Sequence, residues 1–219
     1  ASPLHFSRFE FKYILSAQQK HDVEGDLRYF LKYDTFVAER DGHEYFVRSL
    51  YFDDPSNTAF HEKIDGIHSR SKFRIRTYAQ HKSDDAPAFV EIKGRHNNLV
   101  FKDRAPILGE TQNWKTLKGR DLSNELLLNT EPSAVRDQFA YELYRRNLRP
   151  VALIDYRRRP YISKFDPGFR ITFDERLSAL RSDSLFPDES RGARRLLPGY
   201  TVLEVKFHHH MPSWFHRVI

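Results

Sequence analysis

An α+β domain is the fold this sequence predicts: about eight antiparallel strands closed into a barrel, charged faces inward and helices packed outside. Three observations predict it. Short segments alternate charged and apolar residues with a period of two, the signature of strands. Carboxylates share the faces that carry Lys and Arg, while aromatics take the opposite faces. The middle of the chain loses the alternation and carries Leu and Tyr at helical spacing. No repeat, low-complexity tract or linker divides the 219 residues, so residues 1–219 are expected to form a single domain.

In chain order, Phe6–Ile14 alternates Arg8, Glu10 and Lys12 with Phe9, Phe11 and Tyr13, which predicts a strand. Ser16 with Gln19 three residues on forms a capping box for a helix over Ala17–Leu31. Tyr45–Asp53 reads as a strand closed by Asp53-Asp54-Pro55, and Ser56–Lys63 as a short helix ending near Gly66. Strands follow over Ser71–Tyr78, Ala88–Arg95 and Leu99–Ala105, the last two joined by a segment of hairpin composition. Gly109–Asn129 and Pro132–Asn147 are predicted helices. Strand character returns over Val151–Arg157, Tyr161–Lys164 and Phe169–Glu175. Arg181–Pro198 is expected as a long loop, Tyr200–His208 as the last strand and Trp214–Ile219 as a helix or tail.

Composition narrows the function. Aromatics are 14% of the chain, too many for disorder, and the length suffices for a real core. No apolar run approaches the roughly 20 residues of a membrane span, so a soluble domain is expected; its expected location is cytoplasmic. Cys is absent, which excludes disulfides, thiolate metal sites and cysteine nucleophiles. No nucleophile-elbow or P-loop signature occurs. The start, Ala1-Ser2-Pro3, carries no readable signal or transit peptide. A net charge of +6 and a pI near 9.4 call for an anionic partner.

The charged faces say which anion. One face of each strand carries, in turn, Arg8, Glu10 and Lys12; Lys72, Arg74 and Arg76; Glu91, Lys93 and Arg95; Lys102 and Arg104; Arg170, Thr172 and Asp174; and Glu204, Lys206 and His208. A single stripe of this kind is explained by a solvated face. Six of them, dominated by Lys and Arg, would repel across the ladder unless an anion lay between. An open basic sheet could bind nucleic acid, with aromatics as stacking platforms. A closed barrel could instead surround a polyanion. Glu10, Glu91 and Glu204 serve no phosphate-tracking surface but could hold a divalent cation. Phe9, Phe11 and Phe73 fall where bases could not reach them. Both points favour the barrel, and no nucleic-acid partner is expected. His208-His209-His210 cannot all reach one ion from a straight strand, and Asp155 is read as either a metal carboxylate or a salt-bridge partner.

The stretches beginning at Arg8, Ser49, Lys72, Val90, Tyr156, Arg170 and Leu203 occur in this order: RFEFK, SLYFD, KFRIR, VEIK, YRR, RITFD and LEVK. Together they resemble the catalytic domain of the vacuolar transporter chaperone (VTC) polyphosphate polymerases, within the triphosphate tunnel metalloenzyme superfamily, over nearly the whole chain. The resemblance implies an eight-stranded antiparallel tunnel with a basic lumen that binds triphosphate and a divalent metal, Mn²⁺ or Mg²⁺. It implies catalytic, phosphate-holding roles for Lys12, Arg74, Arg76, Lys93 and Arg158, and substrate contacts for Lys102, Arg170, Lys206 and Arg8. Glu204 matches the metal-binding glutamate, and Glu10 is the second candidate ligand. Hydrolytic members of the superfamily open with Glu-x-Glu-x-Lys. Here Arg8 replaces the first Glu, as in the polymerase branch.

The expected activity is therefore transfer of the terminal phosphoryl of ATP to a growing inorganic polyphosphate chain. The alternatives are a tripolyphosphatase or nucleoside triphosphatase using the same tunnel, and a non-catalytic polyphosphate-binding module. ATP or triphosphate and polyphosphate are the expected partners, and a membrane partner in a full-length protein is compatible with them.

Overall fold

The computed structural model describes residues 9–64, 69–96, 99–108, 112–188, 192–208 and 210–219. Its strands are β1 (Phe9–Ser16), β2 (Leu31–Tyr33), β3 (Tyr45–Asp53), β4 (Ser69–Thr77), β5 (Ala88–His96), β6 (Leu99–Pro106), β7 (Arg149–Ser163), β8 (Arg170–Arg181), β9 (Arg194–Arg195) and β10 (Tyr200–Phe207). The α-helices are α1 (Ala17–Leu27), α2 (Thr58–Ile64), α3 (Gly119–Leu128) and α4 (Ala134–Arg145). The chain forms two compact units. One comprises residues up to Tyr45, Tyr156–Leu177 and Arg195–Ile219; the other comprises Phe46–Asp155 and Ser178–Arg194.

In the first unit the strand order is β1-β10-β8-β7, with β2 also on β7. Alternation sends Leu203, Val205, Phe207, Ile171 and Phe173 to one face, where they pack with Val23 and Leu27 of α1. The capping box forms as predicted: Gln19 N–H donates to Ser16 Oγ and Ser16 N–H to the Gln19 side chain. The helix stops at Leu27, short of the predicted Leu31. The Phe30 amide closes a turn on the Leu27 carbonyl, and Leu31–Tyr33 then pairs with Tyr161–Ser163.

In the second unit the order is β7-β3-β4-β5-β6. Leu50, Phe52, Phe73, Ile75, Val90 and Ile92 face α3 and α4, and meet Leu122, Leu126, Phe139 and Leu143 in one core. The ring of Phe139 stands edge-on to both Phe52 and Phe73. The non-alternating middle thus supplies the covering helices, as expected. Asp53 and Asp54 turn the chain from β3 into α2. Asp53 Oδ1 accepts from the amides of Asp54 and Ala59, and Asp54 Oδ1 from those of Ser56 and Thr58. Gly94 on β5 lies opposite Phe101 on β6, and the Phe101 ring occupies the space a β-carbon at Gly94 would need.

The predicted fold class is present, and several finer expectations need correction. The antiparallel, helix-covered sheet is present, with eight strands on its main path, but the ladder ends at β1 and β6. Among the described residues no hydrogen-bonded pairing closes it into a barrel; β6 presents exposed Lys102, Asp103 and Arg104, and β1 exposed Lys12, side chains that discourage strand addition. The two strands expected over Val151–Arg157 and Tyr161–Lys164 are one, because Pro160 keeps an extended backbone and its carbonyl accepts from Asp34 N–H. β8 runs on past Glu175 through Arg176, at φ 54°, to Arg181. The expected loop over Arg181–Pro198 contains β9, paired with β8. No helix among the described residues is long and apolar enough to cross a membrane.

The capping box predicts a stability effect. Ser16→Ala should destabilise the protein by about 1 kcal/mol, through loss of the acceptor for an otherwise unpaired helix amide. Urea denaturation followed by circular dichroism measures it.

Candidate functional site

Each unit carries a charged face opposite its core. In the second unit, cross-strand register puts Tyr51, Arg74, Glu91 and Arg104 in one row across β3 to β6. Lys72, Lys93 and Lys102 form the next row. Glu91 is fully buried. Its Oε2 accepts from Arg74 Nε at 2.8 Å and lies 2.6 Å from Arg74 Nη2, 3.7 Å from Arg76 Nε; Lys102 Nζ is 2.9 Å from its Oε1. Burial raises the affinity of this carboxyl for a proton, but Arg74, Arg76 and Lys102 outweigh it and hold the pKa at about 2. Arg74 also donates to the Tyr51 hydroxyl at 2.8 Å, and Arg76 to Ser49 Oγ from two nitrogens at 3.3 Å. Both arginines are buried, so their planes are set by the protein before any ligand arrives.

The first unit is built differently. Lys12 pairs with Glu204 and Glu204 with Thr172 across β1, β10 and β8, and Glu10, Lys206 and Arg170 form the adjacent row. Glu204 is 5% exposed and sits among three cations: Lys206, Arg158 at 3.4 Å and Lys12 at 3.6 Å. Burial opposes its ionisation, but Lys206, Arg158 and Lys12 prevail and hold its pKa at about 2. Arg158 makes a two-pronged pair with Asp174, at 2.6 and 2.7 Å. Burial would lower the Lys12 pKa, but Glu204, Glu10 and Asp174 raise it above its ordinary value. For Lys206 burial wins over Glu204, and the ammonium is held below its ordinary value.

Of the sequence-predicted residues, the second unit brings together Arg74, Arg76, Lys93 and Lys102. The first brings together Lys12, Arg158, Arg170, Lys206, Glu10 and Glu204. Arg8 lies outside the described residues, as does His209. Asp155 is the bidentate partner of Arg48, at 2.7 and 3.0 Å. Among the described residues no three acidic or imidazole groups converge as a metal site. Glu204 and Glu10 nevertheless supply hard carboxylate oxygens on one face. That donor set fits an ion that takes its remaining ligands from phosphate.

Sequence reasoning missed the partners. Glu91 was placed on the charged face but given no contacts, and Asp174, Ser49 and Tyr51 were given no role. The signals were present: Ser49 and Tyr51 stand two apart on the charged face of β3, and Asp174 shares the stripe of Arg170.

The chain matches the sequence profile of the VTC domain over residues 7–219. It belongs to the VTC domain family, as the seven ordered motifs implied. No curated protein matches it. Similar solved structures include a candidate adenylate cyclase from Bacillus halodurans, 13% identical with a TM-score of 0.49, covering 97% of this chain and 87% of that one. A candidate adenylyl cyclase from Hippeastrum, described as having a dominant triphosphatase activity, is 12% identical with a TM-score of 0.47, over 92% and 79%. The PH1819 protein of Pyrococcus horikoshii is 12% identical with a TM-score of 0.45, over 95% and 83%.

Glu91 and Glu204 predict acid sensitivity. Both have folded-state pKa values of about 2 against an ordinary 4.5. Their contribution to stability is complete above pH 4.5 and is lost as pH falls toward 2. Glu91→Gln should flatten this dependence. It should also destabilise the protein by about 3–5 kcal/mol near neutrality, because buried arginines lose their counter-charge. Urea denaturation across the pH range tests both.

Proposed function

We propose that this chain is a cytoplasmic, metal-dependent phosphotransferase that moves the terminal phosphoryl of ATP onto a growing inorganic polyphosphate chain. One observation carries the reading. Lysines and arginines stand directly opposite one another across strands, as Lys72–Lys93–Lys102 and Lys206–Arg170. Like charges in that register repel; Glu91 and Glu204 already offset part of that repulsion at Lys102 and Lys206, and an anion along the rows would add to the relief. A chain of phosphates is an anion dense enough in charge to answer these rows, and membership of the VTC domain family supports the choice.

Phosphoryl transfer asks the protein for positioning and charge neutralisation more than for covalent chemistry. Lys12, Arg74, Arg76, Lys93 and Arg158 would hold phosphate oxygens, with Lys102, Arg170, Lys206 and Arg8 extending the contact along the chain. A terminal oxygen of polyphosphate attacks the γ-phosphorus in line. The bond from that phosphorus to the β–γ bridging oxygen breaks, and ADP leaves with the electron pair. No protein nucleophile takes part. Glu204, with Glu10, would hold a Mn²⁺ or Mg²⁺ ion, whose contribution is to neutralise charge on the phosphate oxygens.

Incubation with ATP and Mn²⁺ should give an acid-insoluble polymer and ADP, sized on a gel. Orthophosphate as the sole product would replace the polymerase with a triphosphatase, and tight polyphosphate binding without ADP release would leave a binding module. Lys93→Ala should weaken tripolyphosphate binding roughly ten- to hundredfold by calorimetry, the value of one charged hydrogen bond. Glu204→Gln should abolish metal-dependent turnover while metal-free triphosphate affinity stays equal or rises. An unchanged Mn²⁺ requirement in a titration of activity would show that Glu204 serves only as an ion-pair partner.

A further inference from the structure

We infer that Tyr51 is a phosphate-binding residue whose hydroxyl donates its proton to an oxygen of the bound anion beside Arg74. The inference rests on the proposal that this face takes polyphosphate or triphosphate, and adds a neutral donor to a set otherwise made of cations.

The argument is one of hydrogen-bond accounting. A tyrosine hydroxyl offers one proton and accepts through its lone pairs. At Tyr51 the oxygen accepts from Arg74 Nη1 at 2.8 Å. Among the described residues its proton has no acceptor, and Tyr51 as a residue is half-buried on the charged face. Register fixes that orientation, because Tyr51 lies directly opposite Arg74 on β4, which lies opposite Glu91 on β5. The Arg74 guanidinium is anchored independently. Its Nε and Nη2 go to Glu91, and it also lies over the Tyr51 ring, 5.6 Å from the centroid. The hydroxyl is therefore not needed to keep Arg74 in place, and its one proton is left for a ligand.

The surroundings favour an anion as that ligand. Ser49 on β3, Lys72, Arg74 and Arg76 on β4, Glu91 on β5, and Lys102 and Arg104 on β6 share this face. Burial would raise the Tyr51 pKa, but Arg74, Arg76 and Lys72 lower it, so the hydroxyl is a stronger acid and a stronger hydrogen-bond donor than an ordinary tyrosine. Ser49, two residues back, has the same relation to Arg76 but is fully buried. Tyr51 is thus the less buried member of the pair.

The test uses inorganic tripolyphosphate as the probe, without metal, on wild type, Tyr51→Phe and Lys93→Ala. The phenylalanine keeps the ring beneath Arg74 and removes only the hydroxyl. Calorimetry should give about a tenfold loss of affinity for Tyr51→Phe with an unchanged melting temperature. A second readout separates contact from support. In wild type, tripolyphosphate should move one tyrosine ionisation to higher pH, seen as tyrosinate absorbance, and this step should be missing from Tyr51→Phe. Affinity within twofold of wild type, with Lys93→Ala weakened, overturns the role of Tyr51 and leaves the polyphosphate reading standing. No binding to wild type overturns both. Should Tyr51→Phe melt early, the wild-type tyrosinate titration decides: an upward shift supports the contact, and no shift overturns it.

Discussion

A fully buried carboxylate among two arginines and a lysine is the interaction around which the second unit is organised. Glu91 is fully buried, shut away from bulk solvent, and Arg74, Arg76 and Lys102 would repel one another without it. Each side therefore makes the other tolerable. Burying such a set rarely adds net stability, since desolvation offsets much of the attraction. What it gains is fixed geometry. Guanidinium groups held by Glu91 and Ser49 lose little freedom when an anion arrives, and preorganisation of that kind favours electrostatic stabilisation of a bound anion.

The first unit reaches a similar end with more carboxylate. Asp174 fixes Arg158, while Glu204 gathers Lys12, Lys206 and Arg158. Three acids, Glu10, Asp174 and Glu204, accompany these cations, whereas the second unit sets Glu91 against a larger basic excess. The contrast is one of charge balance: the second face carries the larger basic excess, and the first keeps hard carboxylate oxygens beside its cations.

Much of this was legible in the chain because strand periodicity is local. Alternation placed Lys72, Arg74 and Arg76 on one face and Phe73 and Ile75 on the other, and both assignments follow from a repeat of two residues. The box at Ser16 and Gln19 was equally local. The unread part depended on neighbours distant in sequence. Which cation meets Glu91 is set by the registers of β4 against β5 and β5 against β6, and alternation alone does not contain a register. The cations of the second unit were accordingly expected to be relieved only by a ligand, when the fold already provides a partial counter-charge. The join between the two expected strands was unread for a related reason: β7 continues through Pro160, whose place in the sheet is set by its pairing with distant residues.

The close approach of Phe101 to Gly94 bears on that register. The ring lies where any β-carbon would stand, so β5 and β6 interlock at this pair as a peg in a notch. Sliding β6 by one residue would lift the ring from its seat and turn Lys102 and Arg104 to the apolar side of the sheet. A glycine on the core-facing side thereby keys the alignment that delivers Lys102 to Glu91, and the electrostatics of one surface are indexed by the steric fit of the other.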